Sequence, residues 1–326
     1  MKHISAILLS IFILLGYSCK DDLIEPKDEQ IEITSGKVLY TEGDSLKYIN
    51  FQNGEEWGLG NGVWYASISS DGTKIAILGT FGNTAAYNVK IIAISDARTT
   101  NPQIISQWDC SCDRIAWMPN STDLVYYKFN QHIYKNSWQG DREELIFELL
   151  IDTTGRESES PTSAIITSPR SEFTLTMHQR IATGPEFWET KRSYGIFVSS
   201  GNGGLKLILD RANHNFHPWF STWIPNSSNI GFIATNEITD DTYIKTISTN
   251  GDNLNTIGTF NIQSNVEIIY NLDPSVVWSP DGEQILFTLF TDSTSHIYGA
   301  DKNGNALTLI RTGAKGSYIS NLNWVP

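Results

Sequence analysis

The sequence predicts an all-β protein: a six-bladed β-propeller of four-stranded blades, closed by pairing of the C-terminal strand with N-terminal strands. Three observations carry this expectation. Trp278-Ser279-Pro280-Asp281-Gly282 is a tight turn that feeds the apolar run Ile285-Leu286-Phe287. Weaker copies of that unit recur along the chain at a nearly constant step. The final copy is incomplete, and its missing half stands near the other end of the chain.

The copies align on the position of Pro280. In chain order they are Ser69-Ser70-Asp71-Gly72, Trp117-Met118-Pro119-Asn120, Thr167-Ser168-Pro169-Arg170, Trp223-Ile224-Pro225-Asn226, Trp278-Ser279-Pro280-Asp281 and Trp324-Val325-Pro326. The aligned positions 70, 119, 169, 225, 280 and 326 give steps of 49, 50, 56, 55 and 46 residues. A repeat near that length, with four short strands per unit, marks propeller blades. Proline pre-sets φ, and Asp-Gly or Asn supplies the left-handed residue of a tight hairpin. Trp117, Trp223, Trp278 and Trp324 occupy one repeat position, which assigns them to packing between blades.

The last copy ends at Pro326 with no strand after it. Val38-Leu39-Tyr40-Thr41 and Leu46-Lys47-Tyr48-Ile49 read as the strands it lacks. One blade is therefore expected to be split between the two ends of the chain. Such a clasp removes the open sheet edge of a linear array.

The W-S-P-D-G-x-x-I-x-F pattern at 278–287 resembles the WD40-like (PD40) repeats of the TolB β-propeller family. The resemblance covers about residues 35–326 and is weakest at the 169 copy. It implies the fold and leaves function open, because propellers serve binding, accessory and lyase roles alike. TolB carries a further domain ahead of its propeller that this sequence has no room for, so the envelope-complex role is not implied.

Ahead of the repeats, Met1-Lys2-His3 and the apolar stretch Ile4 to Leu15 read as a signal peptide over residues 1–18, too short for a membrane span. Leu15-Gly16-Tyr17-Ser18-Cys19 resembles a bacterial lipobox, which implies cleavage before Cys19 and its lipidation. Several acyl chains at ~0.8 kcal/mol per buried CH₂ give stable anchoring. Lys20-Asp21-Asp22 resembles the surface-export signal of Bacteroidetes lipoproteins, which implies an outer-membrane, cell-surface address. Residues 19–34 are then a lipidated cysteine and flexible tether, reaching up to roughly 50 Å, and residues 35–326 the propeller.

With 23 basic and 36 acidic residues, and Lys2 lost in processing, the mature chain carries 22 against 36, a net −14. That balance, without a basic cluster, excludes nucleic acids and leaves membrane contact to the lipid anchor alone. Besides Cys19 there are only Cys110 and Cys112. Buried thiols, a disulfide and a metal pair all remain open for them, since two residues of an extended strand lie near the limit of bridge geometry.

The inner-strand starts lie on the face opposite the turns. Six residues ahead of the aligned positions come Trp64, Asp113, Ser163, Trp219, Pro274 and Ser320, with Tyr65, Arg114, His217, Asp273 and Tyr318 beside them. These are expected to ring the mouth of the axial channel. A long connection, His178 to Ser193, contains Glu186-Phe187-Trp188 and is expected to arch over the same mouth. Because both chain ends lie at the turn face, this mouth would point away from the membrane.

No G-x-S-x-G elbow, H-E-x-x-H helix, phosphate loop or dinucleotide fingerprint is present. The reading is a monomeric, non-catalytic surface lipoprotein without a cofactor, binding a glycan, peptide or envelope protein. The alternative is a metal-assisted carbohydrate-active enzyme resembling polysaccharide lyases, with His214, His217, Asp113 and Asp273 holding a divalent cation.

Overall fold

The computed structural model describes residues 32–33, 35–59, 62–80, 88–93, 103–110, 112–128, 132–148, 157–161, 166–167, 173–182, 190–199, 205–210, 213–225, 227–236, 238–239, 241–260, 275–291 and 294–325. The first sheet holds β1 (Lys37–Glu42), β2 (Ser45–Asn50) and β3 (Glu55–Leu59). The second runs through β4 (Val63–Ile68), β5 (Lys74–Gly79), β6 (Asn88–Ala93) and β7 (Gln103–Asp109). The third comprises β8 (Cys112–Trp117), β9 (Asp123–Lys128), β10 (His132–Ser137) and β11 (Glu144–Glu148). The fourth collects β12 (Glu157–Pro161), β13 (Ile166–Thr167), β14 (Phe173–Ala182), β15 (Thr190–Ser199) and β16 (Leu205–Asp210). The fifth is β17 (Phe216–Trp223), β18 (Asn229–Asn236), β19 (Thr242–Ser248) and β20 (Asn255–Phe260). The sixth is β21 (Val276–Trp278), β22 (Gln284–Thr291), β23 (Thr294–Asp301) and β24 (Thr308–Thr312). The chain's last strand, β25 (Ile319–Val325), returns to the inner edge of β1.

The expected clasp is present. Val38 pairs Trp324 and Glu42 pairs Ile319 in an antiparallel ladder. Beyond its own sheet, β25 reaches the second sheet through two amides. Asn321 Nδ2 donates to Trp64 O at 3.1 Å and Asn323 Nδ2 to Ala66 O at 3.1 Å. These alternate residues face the same neighbour because side chains on a strand have a period of two.

Five sheets are four-stranded blades, one fewer than the six expected. The fourth sheet departs because two short strands, β12 and β13, share one edge of the ten-residue β14. The connection expected as a loop from His178 to Ser193 is strand at both its ends, since Gln179 pairs Ser193 and Ala182 pairs Thr190, while 183–189 lie outside the described residues. The innermost strands nonetheless touch in order: β4 meets β25 and β8, β13 meets β8 and β17, and β21 meets β17 and β25.

The core is divided in the same way, one apolar cluster at each seam between neighbouring sheets. Trp117 packs with Ala76 and Leu78 of the second sheet, and Trp223 with Ile196 and Val198 of the fourth. Trp324 packs with Val277 and Leu286 of the sixth. Trp278 lies over Gly231 of the fifth so closely that an added Cβ would stand 1.9 Å from its ring. Trp117 Nε1 also donates to Ser67 O at 2.9 Å. The tryptophans are wedges between blades, as their repeat position implies.

A second repeated device was invisible in the sequence. In five outer strands the ladder slips by one residue, and the extra residue is each time an isoleucine: Ile105, Ile146, Ile208, Ile257 and Ile310. A bulge of this kind turns one additional side chain toward the core. Each of these isoleucines joins a different seam cluster. Full burial of an isoleucine stabilises by about 1.5–3 kcal/mol, so the partly buried four contribute less than buried Ile208.

The turns follow the expected chemistry with one substitution. Ser69 Oγ and Ser279 Oγ each donate to the aspartate two residues on, at 2.6 Å. Gly72 (φ 66°) and Gly282 (φ 79°) take the left-handed position. In the third sheet Ser121 (φ 53°) takes it, not Asn120, whose side chain instead caps the backbone N–H groups of Thr122 and Asp123.

Candidate functional site

At the strand-start end of the channel the inner strands are irregular. Trp64 is the extra residue between paired Val63 and Tyr65, and Asp113 the extra one between Cys112 and Arg114. The register also shifts between Pro218 and Ser221, around Trp219, and between Ser320 and Asn323, opposite Tyr40. Bulges break a ladder and re-aim side chains, and they recur beside binding sites. Three of the expected positions, Trp64, Asp113 and Trp219, therefore sit at bulges on strands that line the axis.

Two blades supply the side chains that meet there. The guanidinium of Arg114, on β8, lies 4.3 Å from the ring centroid of Tyr65, on β4. The contact is a cation–π stack across a seam. Trp64 is 48% exposed, the largest aromatic surface open to solvent among the described residues. Its backbone carbonyl is held by Asn321, which adopts a left-handed φ of 55° and also donates to Thr41 Oγ1 at 3.1 Å. Tyr318 stands just ahead of β25, with its ring 5.0 Å from that of Phe290.

Cys110 and Cys112 form a disulfide whose Cα atoms are 5.1 Å apart. The limiting geometry of an extended strand does not apply, because Cys110 lies past the end of β7 and Cys112 opens β8, so the two do not share one strand. The bridge sits two residues ahead of Arg114 and closes the entry to its strand.

His217 is half-buried on β17, and His214 stacks on Phe216 at 5.0 Å. Lys245 lies 4.9 Å over the same Phe216 ring, and burial pushes its ammonium below the usual lysine value. Among the described residues no three His, Cys, Asp or Glu side chains gather as metal ligands. The structure thus brings Tyr65 and Arg114 together, with exposed Trp64 next along β4, and leaves His214 and His217 among aromatic and strand neighbours. Cys19, Glu186, Phe187, Trp188 and Asp273 lie outside the described residues, as do the side chains of Asp113 and Trp219. Asn321 was missed by sequence reasoning; only its alternation with Asn323 just ahead of Trp324 hinted at a one-sided strand.

An ionisable cluster elsewhere has a structural explanation. Tyr126 Oη donates to Glu143 at 2.5 Å and Lys128 Nζ to the same carboxylate at 2.7 Å. Burial, and then this bond to Glu143, raise the Tyr126 phenol far above its ordinary value. Partial burial pushes the Glu143 carboxyl up, but the bonds from Lys128 and Tyr126 outweigh it and hold it low.

No family model matches the chain, and no curated protein matches it. Solved structures do. TolB from Acinetobacter baumannii superposes with a TM-score of 0.61 at 13% identity, over 90% of this chain and 67% of that one. A chain of a nidogen/laminin complex gives 0.57 at 8% identity, over 90% and 99%. An oligogalacturonate lyase in complex with manganese gives 0.52 at 15% identity, over 86% and 75%. Likeness at such identities establishes the β-propeller fold and nothing finer.

Proposed function

We propose that this chain is a lipid-anchored, non-catalytic binding protein whose strand-start mouth takes a glycan, peptide or protein partner. The observation that carries the reading is the stack of Arg114 on Tyr65 beside the half-exposed Trp64, on bulges of adjacent inner strands. A flat indole face and a guanidinium on a rigid ring suit polar ligands with apolar faces, sugars above all. The five-stranded fourth sheet is read as the sixth blade, with β12 and β13 as one interrupted inner strand. This is supported by the contacts of β13 with both β8 and β17.

Anchoring through Cys19 at the outer membrane, on its cell-surface side, belongs to the same proposal. Glu32 O accepts from Gln284 Nε2 at 3.3 Å, just after the 279–283 turn, so the chain reaches the propeller on its turn side. A tether leaving there turns the opposite mouth outward. No cofactor, nucleic acid or second subunit is required.

The test is binding of the purified, tether-free protein to a glycan array, with a pull-down from surface membranes in parallel. Trp64→Ala and Arg114→Ala should abolish the selected interaction while leaving the melting temperature nearly unchanged. The lyase-like alternative would replace this reading if the protein held stoichiometric manganese, lost it in His217→Ala, and cleaved an acidic polysaccharide.

A further inference from the structure

The chain crosses from sheet to sheet by links of unequal length. Three residues separate Leu59 of β3 from Val63 of β4, five separate Asp210 of β16 from Phe216 of β17, and six separate Thr312 of β24 from Ile319 of β25. Two separate Asp109 of β7 from Cys112 of β8. This tightest link is the one that a disulfide closes, Cys110 to Cys112. Both cysteines are buried in the seam cluster of Ala76, Leu78, Val89 and Trp117, and Tyr65 packs on the same cluster.

In the chain-entropy account a disulfide stabilises by restricting the unfolded chain, and the effect shrinks with the loop it closes. A bridge over one intervening residue therefore adds little to global stability. Its effect is local: it fixes where Cys112 enters β8. The ladder breaks immediately afterwards, at Asp113, so the pairing of Cys112 with Lys128 does not by itself aim Arg114. Tyr65 stands in the same situation, just after the slip at Trp64, and there Asn321 Nδ2 holds the Trp64 carbonyl at 3.1 Å. Each bulged strand thus has its own brace, an amide on β4 and a disulfide on β8.

We infer that the Cys110–Cys112 bridge is a reducible latch that positions Arg114 for the strand-start mouth. Intact, it holds the guanidinium over the Tyr65 ring, 4.3 Å from its centroid. A small dithiol cuts it by supplying two electrons and two protons. The S–S bond is replaced by two protein thiols, and the reductant leaves as its own cyclic disulfide. The start of β8 then relaxes, and the stack loosens without the propeller opening. Any consequence for ligand binding rests on the mouth proposed above; the positioning of Arg114 does not.

The test uses no mouth ligand. In the tether-free protein these are the only cysteines, so dithiothreitol acts at this bridge alone. Alkylation of the folded protein counts the thiols released, two being expected. Phenylglyoxal modification of Arg114 reads the stack, with exposed Arg142 as the internal reference in peptide mass spectrometry. After reduction the Arg114 rate should rise about fivefold relative to Arg142, the factor set by losing one cation–π contact. Cys110→Ala/Cys112→Ala should show the same rise without reductant, which separates positioning from access to the bridge. In both cases melting should stay cooperative and shift by only a few degrees. Cysteines that stay bridged in the folded protein, or an Arg114 rate unchanged in the double variant, would overturn the inference. Loss of cooperative melting would overturn it too, by making the bridge a general staple. None of these results bears on glycan or partner binding, which is read separately.

Discussion

The two ends of the inner strands obey different rules. At the turn end the same chemistry recurs among the described residues: a wedge tryptophan in four of the sheets, and a tight turn with a left-handed residue in the second, third and sixth. At the start end the ladders slip at Trp64, Asp113, Trp219 and Asn321, and the residue types differ from blade to blade. The lesson is a division of labour. Repetition keeps the ring closed at one end, while the other end departs from it blade by blade.

Removing Asn321 to Pro326 should break that comparison most severely. The deletion takes away most of β25, both amide links to β4 and the Trp324 wedge. A central edge would be exposed, and the protein should lose cooperative unfolding altogether; a normal calorimetric transition would contradict the closed ring. Gly231→Ala comes next. Its Cβ would press into the Trp278 ring, so denaturant melts should show a loss of about 1–3 kcal/mol, as for an overpacked core.

Two smaller changes sharpen the contrast. Asn321→Ala removes the donor to Trp64 O at a left-handed position, and should cost about 1–2 kcal/mol. Asn321→Gly should cost less, since glycine accepts that φ freely. Smallest is the pH effect of the turn carboxylates. Partial burial pushes Asp71 up, but bonds from Ser69 and Thr73, with Lys74 nearby, outweigh it and hold its pKa at about 2, below the 3.8 of a free side chain. A depressed folded value means the stabilisation is complete above the unfolded pKa and is lost as pH falls from about 4 to 2. Solvent screening limits it to about 1 kcal/mol or less. Asp71→Asn should flatten the melting-temperature curve over that window, losing that small stabilisation at neutral pH and converging on the native protein near pH 2.

What was legible in the sequence follows the same line. The turns, the tryptophans and the split closing blade announce themselves because they recur or because one copy is cut short. The bulged isoleucines recur as well. They stayed hidden because a one-residue slip exists only relative to a partner strand, and apolar pairs such as Ile104-Ile105 and Leu309-Ile310 look like ordinary strand residues. The interrupted inner edge of the fourth sheet coincides with the weakest motif copy, Ser168-Pro169, where local signals were poorest. The start-end positions were found by counting back from the turns. Their partnership, such as Arg114 on Tyr65, depends on how separate blades meet, and no local pattern encodes that.

The division of labour is tested most directly by melting Trp117→Ala and Trp64→Ala side by side. Trp117 is 3% exposed and bonds its neighbour blade, whereas Trp64 is 48% exposed. The account predicts a loss of about 3–5 kcal/mol, roughly 6–15 °C, for Trp117→Ala. For Trp64→Ala it predicts a change within about 1 kcal/mol. Equal losses at the two positions would contradict it.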